Sequence, residues 1–129
     1  MIIITFGTFD LLHIGHIKIL ERAKSLGDKL IVGVSTDKFS IEKKNRKPVY
    51  SENERKKILE SLKFVDEVFF EESFDKKREY IKKYKADIFV MGNDWNGKFD
   101  EFNDICKVKY FDRTPSISTT QLIEKISQV

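Results

Sequence analysis

Phe6-Gly7-Thr8-Phe9-Asp10-Leu11-Leu12-His13-Ile14-Gly15-His16 follows the apolar run Ile2-Ile3-Ile4 and leads into Ile17-Lys18-Ile19-Leu20-Glu21-Arg22-Ala23. The apolar run reads as a buried strand, and Ile17, Leu20 and Ala23 recur at helical spacing. The stretch is therefore a strand-to-helix turn. In an α/β sheet such a turn aims free N–H groups and the positive end of a helix dipole at one point above the strand ends, where a phosphate fits. Gly7 lets backbone come close, and the chain's two histidines, His13 and His16, share a four-residue window at that point. Spacing alone leaves two further readings open, a capped hydrogen-bonded pair or two ligands of a metal. Zinc lacks an evident third ligand nearby, since the one cysteine is Cys106.

Working outward, Gly27 stands where a helix C-cap belongs, and Lys29-Leu30-Ile31-Val32-Gly33-Val34-Ser35 reads as a second buried strand. Residues 1–35 then form a βαβ unit, which requires a parallel sheet and a right-handed crossover. The fold class is open α/β, with ligands expected beyond the carboxyl ends of the strands. Residues 36–50 lose periodicity and carry Lys43-Lys44-Asn45-Arg46-Lys47-Pro48, either a solvated loop or a cationic lid over phosphates. Ser51 and Glu54 make a capping box for a helix with Ile58, Leu59, Leu62 and Val65 on its apolar face. Arg55, in the first turn, opposes the helix dipole and so calls for an acidic neighbour or an anionic ligand.

Further along, Val65 to Phe70 reads as a short strand and Phe74 to Tyr84 as a helix whose Lys76, Lys77 and Arg78 form an exposed start. Ala86 to Met91 is another buried strand. It ends in Gly92-Asn93-Asp94-Trp95-Asn96-Gly97-Lys98-Phe99, which satisfies G-x-x-x-x-G-K, but Phe99 replaces the hydroxyl residue a P-loop needs for magnesium. Trp95 reads either as a core anchor or as part of the site. Val108 to Phe111 is the last strand, and Ser118 with Gln121 forms a second capping box before a terminal helix. Beside Arg113, the hydroxyls of Ser118, Thr119 and Thr120 offer a second phosphate cradle.

Composition narrows the class. The 129 residues suit one domain, 1–129, with a core of its own. No apolar run approaches the roughly 20 residues of a membrane span, and no secretion signal is evident. A single cysteine rules out an internal disulfide, and the reading is cytoplasmic. A net charge of +3, from 24 basic and 21 acidic residues, falls short of a nucleic-acid stripe but suffices for a small polyanion.

The block Gly7-Thr8-Phe9-Asp10 with His13-Ile14-Gly15-His16 resembles the signature of the HxGH nucleotidyltransferase superfamily, whose motif is shared with class I aminoacyl-tRNA synthetases. Gly92-Asn93-Asp94-Trp95 and Arg113-Thr114-Pro115-Ser116-Ile117-Ser118-Thr119-Thr120 resemble the two other signature blocks of the small cytidylyltransferases. Order and spacing match, and the likeness covers nearly the whole chain. It implies a single-domain, Rossmann-like open parallel sheet with helices on both faces. The implied reaction is transfer of CMP from CTP to a phosphomonoester, with glycerol 3-phosphate the expected acceptor, and Mg²⁺ bound through the nucleotide phosphates. A homodimer is implied too, while charge and hydropathy give the expectation of no nucleic-acid partner and no membrane insertion.

Carried over position by position, the resemblance makes His13, His16, Lys44 and Arg113 catalytic. The nucleotide would be bound by Thr8, Phe9, Asp10, His13, Gly15 and His16 in the first block. Gly92, Asp94 and Trp95 serve in the second, and Arg113, Thr114, Ile117, Ser118, Thr119 and Thr120 in the third. Lys44, Arg46, Arg55 and Lys77 would bind the acceptor, and no protein metal site is expected. Asp10 is expected as an orienting or metal-side carboxylate. The chain departs from the family pattern at Lys63, Asn93 and Ser116. Rival readings are a cytidylyltransferase for phosphocholine, phosphoethanolamine or a sugar phosphate, an adenylyltransferase of the same fold, and a nucleotide sensor without turnover. No KMSKS-like block supports a tRNA synthetase, and no G-x-G-x-x-G supports a dinucleotide-dependent oxidoreductase.

Overall fold

The computed structural model describes residues 1–112 and 119–128. Among them, five parallel strands form one sheet: β1 (Ile2–Gly7), β2 (Lys29–Ser35), β3 (Glu67–Glu71), β4 (Ile88–Gly92) and β5 (Lys107–Phe111). Their order is β3-β2-β1-β4-β5, so the chain winds outward from β1 to one edge and then returns to its other side. Helices α1 (Ile14–Lys24), α2 (Asp37–Lys44), α3 (Glu52–Glu60), α4 (Lys77–Lys83) and α5 (Thr119–Ser127) join or follow the strands.

Alternation along the strands fills two cores. Ile3 of β1, Leu30, Val32 and Val34 of β2, and Ile88 and Val90 of β4 face one side, packing with Leu20, Ala23 and Leu59 of α1 and α3. Ile4, Phe6, Ile31, Phe89 and Met91 face the other, packing with Ile81 of α4 and with Phe99 and Phe102. A sheet buried on both faces needs apolar residues at successive positions, which is why its strands read as continuous apolar runs. Gly33 serves this packing, since a Cβ there would lie 2.5 Å from the Phe6 ring and 2.8 Å from that of Phe69.

Three local expectations change. Gly27 is not a left-handed helix cap, because α1 closes on Ser25 and the only described glycine with positive φ is Gly97. Gly27 is instead required for close approach, a Cβ there lying 2.5 Å from the carbonyl oxygen of Met1. Residues 37–44, expected as loop, form α2, capped by the Thr36 hydroxyl accepting from Phe39 N–H at 3.1 Å. Only Phe39 and Ser40 of this helix are buried, too few to print a period. Lys43 and Lys44 lie in its last turn, where cations complement the dipole. Of the exposed start expected at Lys76 to Arg78, Lys76 is exposed and closes a 3₁₀ turn, Phe74–Lys76, but Lys77 after it is buried.

Candidate active site

The turn after β1 is built by mutual capping. The His13 side chain accepts from Gly15 N–H through Nδ1 at 3.1 Å, and Nδ1 of His16 accepts from His13 N–H at 3.2 Å. The pair is a capping box made of imidazoles, so the hydrogen-bonded alternative is met in full. A ring that accepts through Nδ1 carries its proton on Nε2 when neutral. Burial lowers the pKa of His16 to about 4, with His13 and Lys44 acting in the same direction and Asp10 against it. Burial also lowers that of His13. Both are thus neutral at pH 7, each with an Nε2–H donor left for a ligand.

The rest of the turn supports this geometry. Phe9 and Leu11 adopt positive φ, 52° and 48°, in a region side chains rarely enter. Phe9 is buried and meets His16 edge-on at 5.5 Å between centroids. Gly7 makes room for that ring, a Cβ at position 7 lying 2.9 Å from it.

A cavity of about 590 Å³ opens above the carboxyl ends of β1 and β4. This is where the strand order reverses, the place at which doubly wound sheets bind ligands. One wall is residues 5–9 of β1 and its turn, together with His13, Gly15, His16 and Ile19; another is residues 91–95 after β4. Lys44 and Arg46 approach from the α2 side, and Thr119 and Thr120 from the start of α5. Arg46 Nη1 and the Thr120 hydroxyl are 3.5 Å apart, which brings those two segments together. Trp95 serves both of its readings, packing on Phe99 with centroids 5.5 Å apart while lining the cavity. The P-loop pattern is excluded by geometry: Phe99 is a core residue against Phe89 and Phe102.

The structure therefore gathers Thr8, Phe9, His13, Gly15, His16, Lys44, Arg46, Gly92, Asp94, Trp95, Thr119 and Thr120 on one cavity. Arg113, Thr114, Ile117 and Ser118 lie outside the described residues. Asp10, Arg55 and Lys77 sit elsewhere. Asp10 turns away from the large cavity toward Val49 and Tyr50, whose N–H groups donate to its carboxylate. Arg55 is 1% exposed and donates to the carbonyls of Thr8, Ser35 and Tyr50 and to the Asp37 carboxylate. Its dipole conflict is thus answered by an acidic neighbour, Asp37 at 2.7 Å. In this conformation Arg55 ties together the ends of β1 and β2, the start of α2 and the segment before α3; it faces no ligand space.

Lys77 is equally committed. Buried among the rings of Phe6, Phe74 and Phe99, it pairs with the buried carboxylate of Glu71. Glu71 also accepts from the Ser35 hydroxyl at 3.5 Å, and that hydroxyl accepts from Lys43 Nζ at 2.7 Å. Burial pulls Lys43 down to about 8, with Glu71 opposing the shift. Sequence reading missed this buried network. Its one signal was Glu71, an acid directly after Val68-Phe69-Phe70 and six positions before Lys77.

A doubly wound sheet with an imidazole-capped, phosphate-directed turn at its switch point defines a nucleotide-binding α/β domain. A cytidylyltransferase-like family model matches residues 4–125, and the chain belongs to that family. It is 52% identical to the glycerol-3-phosphate cytidylyltransferase of Bacillus subtilis over 97% of this chain and 96% of that one. With the enzyme of that name from Staphylococcus aureus identity is 46%, covering 96% and 93%. Among solved structures, a lipopolysaccharide core biosynthesis protein from Thermoplasma volcanium superposes with a TM-score of 0.75 at 27% identity, over 91% of this chain and 98% of the other.

Proposed function

We propose that this chain transfers CMP from CTP to glycerol 3-phosphate, giving CDP-glycerol and pyrophosphate. The observation that carries the reading is the convergence of two neutral Nε2–H donors, His13 and His16, with the cations Lys44 and Arg46 on one cavity at the switch point. The cytidylyltransferase-like match and the names of the relatives supply the nucleotide and the acceptor.

In this reaction a phosphate oxygen of the acceptor bonds to the α-phosphorus of CTP, and the bond from that phosphorus to the bridging oxygen of pyrophosphate breaks. The electron pair leaves with pyrophosphate. A phosphomonoester has its second pKa near 6, so the nucleophile is already ionised and no general base is needed. The protein aligns two polyanions and neutralises the charge that grows on the α-phosphate and the leaving group. His13 and His16 donate Nε2–H to those oxygens; burial lowers the pKa of both rings, that of His16 to about 4, which favours the neutral form that carries this donor. Lys44 and Arg46 hold the acceptor phosphate against them. The start of α1 at Gly15 and the start of α5 at Thr119 hold the nucleotide phosphates, with Arg113, Thr114, Ile117 and Ser118 assigned to the same task by the resemblance. Gly92, Asp94 and Trp95 contact the nucleoside.

When bound, Mg²⁺ would be held through the nucleotide phosphates rather than by protein ligands, and would supply neutralisation of part of their charge. The donor set suits that arrangement: among the described residues Asp94 is the one carboxylate on the cavity wall, and Asp10 is engaged by backbone amides. The resemblance implies a homodimer, and the composition gives the cytoplasmic reading; release of product from CTP and glycerol 3-phosphate alone would point to a role in glycerol-phosphate polymer synthesis. No helix among the described residues is long and apolar enough to cross a membrane. The test is product analysis by ³¹P NMR after incubation with CTP, Mg²⁺ and glycerol 3-phosphate. CDP-glycerol and pyrophosphate in equal amounts support the assignment; CTP bound but unchanged replaces it with a sensor.

A further inference from the structure

Asp10 is 4% exposed, and both of its carboxylate oxygens accept from consecutive amides of a distant segment: Oδ2 from Val49 N–H at 2.7 Å and Oδ1 from Tyr50 N–H at 2.9 Å. Its own carbonyl accepts from the Thr119 hydroxyl at 3.0 Å. One residue thereby joins the turn after β1, the segment 45–50 and the start of α5. The residues on either side of it, Phe9 and Leu11, hold positive φ, a conformation that persists where surrounding contacts over-determine it. The segment it grips leaves α2 through Asn45, itself left-handed at φ 53°, and contains Arg46. Arg55 grips the same segment from the opposite side, its Nε donating to the Tyr50 carbonyl at 3.0 Å.

We infer that Asp10 is a positioning residue: it pins residues 49 and 50 so that Lys44 and Arg46 face the cavity, and it touches neither the nucleotide nor a metal. The inference rests on the proposed cytidylyl transfer for its kinetic part alone. Two N–H donors arriving at two oxygens match a carboxylate, which accepts at both; a carboxamide accepts at one and presents an NH₂ at the other. A small pouch of about 30 Å³ beside the large cavity is lined by Asp10, Lys44, Arg46 and Pro48, so the pin and the cations it sets share one wall. The Asp10 charge faces Lys44 and His16 and favours the charged form of each, acting through space on groups that themselves face the ligand.

Asp10→Asn keeps the size of the side chain and removes one of the two acceptors. Limited trypsin digestion without substrate then cleaves after Lys44 and Arg46 roughly tenfold faster or more, the factor that goes with losing one hydrogen bond to a charged group. In steady-state assays kcat/KM for the acceptor falls roughly tenfold or more, CTP affinity and the Mg²⁺ concentration for half-maximal rate stay unchanged, and the loss vanishes when Lys44→Ala and Arg46→Ala are both already present. Val49→Pro deletes one donor while leaving the carboxylate intact, and reproduces the pattern if Asp10→Asn does not fold. Cleavage at the wild-type rate, losses that add fully to those of the Lys44→Ala, Arg46→Ala double variant, or an altered Mg²⁺ requirement would each overturn the inference, the last by making Asp10 a metal-side ligand. The digestion needs no turnover, so it tests the pin even if the chain transfers no CMP.

Discussion

The N–H of His13 donates to Nδ1 of His16 at 3.2 Å, and the two imidazoles lie 3.9 Å apart between centroids. Each histidine thus spends one nitrogen on the helix start, and the proposed chemistry uses the other, which makes the two roles separable by substitution. Asparagine at position 13 supplies a cap oxygen as good as any residue's but no Nε2–H. His13→Asn is expected to hold stability within about 0.5 kcal/mol and to lower kcat roughly 10²–10⁴-fold, the range for one preorganised donor. Thermal melts beside steady-state kinetics check this; a variant near wild-type activity removes His13 from catalysis.

His16→Ala loses both the capping acceptor and the donor. We expect about 1 kcal/mol of destabilisation and a fall in kcat of roughly 10²–10⁴-fold. Urea denaturation separates the terms, since activity lost at urea concentrations where the variant remains folded is chemical in origin.

The histidines also set a pH dependence of stability. Burial holds His16 neutral down to about 4, whereas the unfolded chain protonates near the ordinary value of 6.5. Between those values the unfolded state binds the extra proton, so stability is retained above 6.5 and lost as pH falls toward 4. Melting temperature is expected to drop across that window and to drop less steeply in His16→Gln. Equal slopes would assign the acid sensitivity to other groups.

Beneath the site, Lys77 and Glu71 are a buried ion pair with almost no access to water. Removing one partner strands the other, at a cost of roughly 3–5 kcal/mol, while replacing both by apolar or neutral groups is far milder. Glu71→Gln is therefore expected to destabilise severely and Glu71→Gln with Lys77→Met to recover most of the loss. Chemical denaturation of the single and double variants reads the coupling, and additive losses would show that the pair is not the unit.

Much of this was legible in the sequence because the deciding signals are local. The turn from β1 to α1, the imidazole pair and the Ser51–Glu54 box are each set by residues within a few positions, and the box forms as read, Ser51 Oγ accepting from Glu54 N–H at 3.3 Å. The illegible parts are contacts made across the fold. Lys77 looks like a solvated helix start until Phe6, Phe99 and Glu71 are brought around it from other elements. Asp10 finds its donors about 40 residues away, at Val49 and Tyr50, so its direction away from the large cavity had no local trace. Helix α2 escaped because its cap, Thr36, precedes a segment with one large buried apolar residue, Phe39.

The central claim is tested most directly by pyrophosphate release in the presence of Mg²⁺, crossing CTP, ATP, GTP and UTP with glycerol 3-phosphate, phosphocholine, phosphoethanolamine and no acceptor. The account predicts release with CTP and glycerol 3-phosphate together and with no other pair. Release driven by ATP in place of CTP, or no release from any pair, would contradict it.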